Sequence, residues 1–199
     1  MGATQRQRLA PEERRVLLLD VAEASFGATG YANSGLAEIA EAAGVSKTLL
    51  YHYFPDGRPE LYRAVVERLA DGAIDALRTA ARAPHPPRRR LAGLVDALIT
   101  FLEAHPGALR LVVLEPLGSG DPTVVGQAVA VRARLAAELA GVLAGEAQPL
   151  ERTTAAATAS LATLLAVCEL HAAGTLDGDE ARSLAVDLMV GGLEGLDLI

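Results

Sequence analysis

SGLAEIAEAAGVSKTLLYHYF, residues 34–54, holds two short helical periods joined by a turn. In the first, Leu36, Ile39, Ala40 and Ala43 recur at helical spacing, Glu38 falls in the first turn, and the start lies at Ser34 or Gly35. Gly44 stops it. A second period runs from Ser46 to about Phe54, with Ser46 placed as its cap. Leu50 and Phe54, four apart, share one face, so Thr48 and His52 point the opposite way. Two helices joined by Ala43-Gly44-Val45-Ser46 have the dimensions of a helix-turn-helix, a spacing that other glycine-turned helical hairpins also satisfy.

Outward from this pair, the N-terminal side offers Pro11, Glu12 and Glu13 as a helix start and Leu18, Leu19, Ala22 and Phe26 as its apolar stripe, ending near Gly27 to Gly30. Residues 1–10 carry no hydrophobic period and read as a flexible arm. On the C-terminal side, Pro55-Asp56-Gly57-Arg58-Pro59 is a dense breaker cluster, and Pro59 suits the first position of a long helix reaching about Arg82. Five further helices are predicted near 88–104, 107–117, 122–145, 150–173 and 178–196, with the Ala83 to Pro87 and Gly118-Ser119-Gly120 segments as loops. No strand-like alternation survives, so the fold class is all-α. The expected division is an arm at 1–10, a helix-turn-helix domain at 11–58 and a larger helical bundle at 59–199.

Hydrophobic residues make up 51 % of the 199-residue chain but aromatics only 4 %, and Ala and Leu dominate, which favours helix. A single cysteine, Cys168, excludes an internal disulfide framework, and the first residues carry no apolar signal stretch, so a cytoplasmic location is expected. Thr153 to Cys168, the longest uncharged helical stretch, falls short of the about 20 residues a membrane span needs, so no membrane partner is expected. The net charge is −7, but residues 1–58 contribute only −1 of it. The chain has one lysine, Lys47, at the start of the helix that begins after Ser46.

That helix exposes Lys47, Thr48, Tyr51, His52 and Tyr53, a mixture of base-edge hydrogen bonders and phosphate partners with no acid among them. Leu18-Leu19-Asp20, Phe26, Gly30-Tyr31, the run Ile39 to Lys47 and Leu50 to Phe54 together resemble the N-terminal domain of TetR-family transcriptional regulators, over about residues 14–66. The resemblance implies about nine helices, three in a DNA-binding domain and about six in a ligand-binding and dimerisation bundle. It also implies a homodimer on a palindromic double-stranded operator. Carried to this chain, Lys47, Thr48 and Leu49 meet base edges, and Tyr51, His52 and Tyr53 meet phosphates or adjacent bases. Arg58 resembles the family's basic residue at the start of helix four, and Ser34 and Gly35 its polar, backbone-contacting start of helix two, while the cap at Ser46 leaves free backbone N–H groups at an end expected to face the duplex. Leu49 stands where the family usually has a hydroxyl, Ala37 where a basic residue is frequent, and the segment Asp56 to Glu60 is one residue longer than usual.

In the bundle, the resemblance implies a small-molecule pocket, for which Phe101, His105, Arg110, Glu115, Cys168 and His171 are the candidate polar or aromatic groups. It implies pairing of the last two helices across a dimer, with Leu161, Leu164, Leu165, Leu184, Leu188, Gly192 and Leu193 as candidate interface residues; an intrasubunit core is the other reading of the same leucines. No histidine lies three residues after a glutamate, and no phosphate loop, zinc-protease or serine-nucleophile motif is present, so neither a catalytic nor a metal site is expected, and no cofactor.

Overall fold

Apolar side chains at 18, 19, 22 and 26 can share one face only if the chain from Pro11 is helical, and α1 runs Pro11–Thr29 with Leu18, Leu19, Ala22 and Phe26 buried. The Glu13 carboxylate reaches back to accept the Ala10 amide at 2.8 Å. Gly30, with φ of 85°, ends the helix by donating its N–H to the Phe26 carbonyl. The computed structural model describes residues 10–82, 84–118, 120–143 and 150–196; the arm expected over 1–10, apart from Ala10, lies outside them, as do Ala83 and Ser119 of the expected loops. The chain divides into two compact units, Met1–Val65 and Val66–Ile199, and the division falls inside α4, Arg58–Ala81.

In the N-terminal unit α2 spans Leu36–Ala42 and α3 spans Lys47–Tyr53, with Ser46 and Phe54 as the caps of α3 rather than its first and last turns. Gly44, at φ of 66°, makes the turn between them. Ile39, Ala40, Leu50 and Phe54 are buried in this unit, as are Phe26, Leu61 and Tyr62. Phe26 and Tyr31 each meet the Tyr62 ring edge-on, with centroids 5.3 and 4.9 Å away.

In the C-terminal unit α5 spans Pro87–Ala104, so Pro87 opens a helix instead of ending a loop. The chain then turns by 103° at His105. The single helix expected over 107–117 is α6, Pro106–Leu109, a π-helical turn, Arg110–Leu114, and α7, Glu115–Gly118. Pro116 explains the correction: it has no N–H to give the Val112 carbonyl, and the Glu115 N–H bonds instead to the Arg110 carbonyl five residues back. Beyond it lie α8, Pro122–Leu143, α9, Leu150–Ala172, and α10, Gly178–Glu194. The last residues of the helix predicted to 145 lie outside the described ones.

Within this unit α9 packs between α8 and α10, and α5 packs on α10 and α9. No strand occurs among the described residues. Gly72 on α4 makes room for the Phe101 ring of α5: a Cβ there would lie 2.9 Å from that ring. Arg78 on α4 grips Glu138 on α8, which raises the guanidinium's pKa, but such exposed pairs contribute only about 0–1 kcal/mol each. From Glu151 to Ala172, α9 is longer than the stretch singled out above and is long and apolar enough to cross a membrane; half of that stretch is buried inside the protein, as in a core helix.

Candidate functional site

Ser46 fixes where α3 begins, because its hydroxyl accepts the Leu49 N–H at 3.1 Å. Burial of Leu50 fixes its rotation and turns Lys47, Thr48, Tyr51 and His52 outward, with Leu49 and Tyr53 half-buried. Tyr51 is 40 % exposed and has two neighbours. The Lys47 ammonium lies 5.9 Å from its ring centroid, and Gly57 lies beneath it, where a Cβ would come within 3.3 Å of the ring. Gly57 has φ of 73°, a left-handed turn at the foot of Tyr51. His52 and Tyr53 meet edge to face at 5.6 Å.

The other three residues expected at this surface are held differently. Ser34 is 1 % exposed and bonds inward, donating to the Gly30 carbonyl at 2.7 Å and meeting the Thr29 hydroxyl at 2.8 Å. The Gly35 amide is taken by the Glu38 carboxylate at 3.0 Å. Arg58 donates to the Ala32 carbonyl at 3.1 Å and lies 4.5 Å over the Tyr31 ring, so it clamps the turn between α1 and α2. Of the ten nucleic-acid candidates, the structure gathers Ser46, Lys47, Thr48, Leu49, Tyr51, His52 and Tyr53 on α3 and its cap.

In the C-terminal unit the six ligand candidates fall in different places. Phe101 lines a narrow, wholly apolar space of about 30 Å³ with Leu98, Leu102, Val112 and Leu135 among its walls, and His105 stacks on Phe101 at 4.5 Å. Cys168 and His171 line a separate cavity of about 300 Å³ with Ile99, Leu102, Glu103, Pro106, Leu109 and Ala172. Arg110 opens the π-helical turn and Glu115 follows it; they line neither space, and each has a partner within the fold. Burial pushes the Cys168 thiol up to about 12, so it stays protonated at neutral pH.

Sequence reasoning missed the group that organises the larger cavity. Arg182 on α10 donates to Asp96 at 2.8 Å and, from both terminal nitrogens, to Glu103 at 3.3 and 3.1 Å. The hydrogen bonds from Arg182, with His171 adding to them, hold the Glu103 carboxyl below its usual pKa. Asp96, Thr100 and Glu103 recur at spacings of four and three, a polar stripe on α5 that signals a partner without naming it. Because Glu103 sheds its proton more readily folded than unfolded, its contribution to stability is present at neutral pH. It is lost as pH falls below the ordinary glutamate value of about 4.3. Thermal melts from neutral pH down to about pH 3 will show a Tm decline that is shallower in Glu103→Gln; parallel declines would refute it.

The Leu161, Leu164, Leu165 and Leu193 side chains are buried inside the chain itself, whereas Leu184, Leu188 and Gly192 are exposed. On α9, Ala155, Ala159, Ala162, Ala166 and Leu170 are exposed along one side of the helix.

Residues 18–65, which contain the α2–α3 pair, match the family model of bacterial regulatory proteins, tetR family. Over 111 residues the chain is 39 % identical to the HTH-type transcriptional activator FasR of Mycolicibacterium smegmatis, covering 56 % of this chain and 50 % of that protein. It is 29 % identical over 142 residues to the HTH-type transcriptional regulator RutR of Escherichia coli strain K12, covering 71 % and 66 %. The chain thus spans about half to two thirds of the length of these curated relatives. Its fold is similar to that of a TetR-like transcriptional regulator from Rhodococcus sp. RHA1, with a TM-score of 0.76 at 26 % identity, covering 94 % of this chain and all of that one. Residues 18–65, the unit that carries the helix-turn-helix, are thus a domain of the kind found in bacterial regulatory proteins of the tetR family.

Proposed function

We propose that this protein is a cytoplasmic transcriptional regulator, acting as a repressor, that binds a palindromic operator as a homodimer and releases it when a small molecule occupies the C-terminal unit. The observation that carries the reading is the outer side of α3, where Lys47, Thr48, Tyr51 and His52 are presented together by a helix with no acid of its own. Acids do surround it, at Glu38, Glu41 and Asp56. The named relatives are transcriptional regulators, which supports the class. Ligand binding under α4 to α9 would shift α4 and alter the separation of the two α3 helices, which requires different ligand affinities in the two states.

A gel shift with the DNA upstream of its own gene tests the reading. A shifted band that competitor DNA of unrelated sequence does not abolish supports it. Failure to shift any such fragment leaves a helical ligand-binding or scaffolding protein that keeps its helix-turn-helix for structure. With Arg58 clamped on Tyr31 and one lysine on the reading helix, few cations meet phosphate. The log–log salt slope of operator binding is therefore expected to correspond to about four to six released ions per dimer; eight or more would contradict it.

The exposed faces of α9 and α10, with Leu170, Leu184 and Leu188, are the surface proposed to pair with a second copy. Leu188→Arg is expected to weaken self-association by about 30-fold, measured by sedimentation equilibrium, while the helical content is unchanged. An unchanged dimer would place the interface elsewhere.

A further inference from the structure

We propose that the cavity between the C-terminal end of α4 and the helices α5 and α8 takes a small organic anion, its carboxylate or phosphate head held by Arg78 and Arg82 and its apolar body resting on Leu77, Leu94, Leu139 and Val142. This deepens the reading above by naming the chemistry of an effector, and so rests on the C-terminal unit taking one. At about 290 Å³ the cavity is at the small end of ligand pockets and holds about ten non-hydrogen atoms. That is room for one ring or a short chain, not for a long one.

The charged groups that line the cavity are two guanidiniums and one carboxylate, Arg78, Arg82 and Glu138. Glu138 is already engaged: its Oε2 accepts Arg78 Nε at 3.0 Å and its Oε1 accepts Nη2. This fork leaves both N–H groups of Arg78 Nη1 without a partner among the described residues, and no acid or carbonyl there takes the Arg82 guanidinium. The Arg82 N–H reaches back to the Thr79 carbonyl at 3.4 Å, so the last turn of α4 carries the side chain one turn on from Arg78. Like charges at that spacing repel, Glu138 offsets one of them, and an oxyanion offsets the other. An ammonium would meet two cations and a carboxylate whose oxygens are both taken.

Leu77, Leu94 and Leu139 are buried, one from each of the three helices, and give the cavity an apolar floor beneath these cations. The approach favours the same charge. Residues 78–90 hold five arginines and no acid in a chain whose net charge is −7, although Arg88 is taken by Asp187. Occupancy also has a mechanical consequence, because Arg78 with Glu138 and Arg134 with Asp71 are ion pairs that tie α4 to α8. A head group that draws on Arg78 competes with Glu138 for it, and so loosens the hold of α8 on the end of α4.

Phenylpropionate is the probe, titrated calorimetrically into the full-length protein beside phenylpropylamine, which has the same body and the opposite charge. One saturable site per chain is expected, with the acid bound at least about ten-fold more tightly than the amine. Phenethyl phosphate identifies the head: tighter binding than the carboxylate assigns a phosphate, weaker binding a carboxylate. Two charge variants are expected to act in opposite directions. Arg82→Ala, at an exposed position, weakens phenylpropionate by about ten-fold, whereas Glu138→Gln, which releases Arg78, tightens it by about three-fold. Ala81→Trp fills the cavity from α4 without removing a charge and is expected to abolish uptake. Equal binding of the amine, no saturation at millimolar phenylpropionate, or an affinity unchanged in Arg82→Ala would overturn the assignment. Operator binding is read separately. If phenylpropionate occupies the cavity and operator affinity does not change, the ligand class stands and the effector role of the site falls. If no upstream DNA is bound, the regulator reading falls while the calorimetry still decides the cavity.

Discussion

Replacing Tyr62 with alanine is expected to destabilise the helix-turn-helix unit by about 3–5 kcal/mol. Tyr62 is fully buried, and its ring is the point at which Phe26 from α1 and Tyr31 from the following turn converge. Removing it leaves a cavity that two other rings border, and Tyr31 in turn carries the Arg58 guanidinium. Small domains are stable by only about 5–15 kcal/mol in total, so this one change removes a large share of the margin. Tyr62→Phe retains both ring contacts and should cost about 1 kcal/mol or less. Hydrogen exchange of the α1 to α3 amides reads the difference. Protection in Tyr62→Ala equal to that of the parent would mean that the aromatic cluster does not hold this unit together.

Lys47→Ala is expected to weaken operator binding by about 2–4 kcal/mol per dimer, roughly 30-fold to 1000-fold, because each dimer carries the change twice and a side chain at a base edge or phosphate is worth about 1–2 kcal/mol or more. Folding should be untouched. Lys47 is exposed, and its one aromatic neighbour, Tyr51, is held independently by Gly57. The comparison that decides the role is Lys47→Arg, which keeps the charge. If arginine restores affinity for operator and for unrelated DNA alike, Lys47 meets phosphate; if it restores only the unrelated DNA, Lys47 reads bases. Unchanged affinity in Lys47→Ala would remove α3 as the reading helix.

The parts of this molecule legible in its sequence are those governed by local rules. Gly30, Gly44 and Ser46 sit where helix ends need them, and the spacing of Leu50 and Phe54 was enough to say which side of α3 faces outward. Ser34 shows where such rules run out. A serine before a helix reads as a cap at the surface, but the Gly30 carbonyl and the Thr29 hydroxyl draw it inside. Arg58 is similar: a cation at a helix start, turned onto an aromatic ring by a fold that brings residue 31 to it. The π-helical turn was readable in principle, since Pro116 lies within the apolar run that otherwise reads as one helix. The cluster around Glu103 was not, because Arg182 is 79 residues away and no periodicity connects them. Cys168 and His171 were visible as a pair on one helical face, but not that Glu103 would complete their wall.

The close approach at Gly72 gives this protein a volume control made of a missing group. The Phe101 ring leans where a methyl would stand on α4, and that same ring walls the apolar space near Leu98 and Leu135. Any residue larger than glycine at position 72 pushes the ring edge by several tenths of an ångström, and Phe101 also bears the stacked His105 at the corner between α5 and α6. The capacity of the interior is thus adjustable from outside its lining, through a backbone position that touches no occupant and needs only a hydrogen where other residues carry carbon.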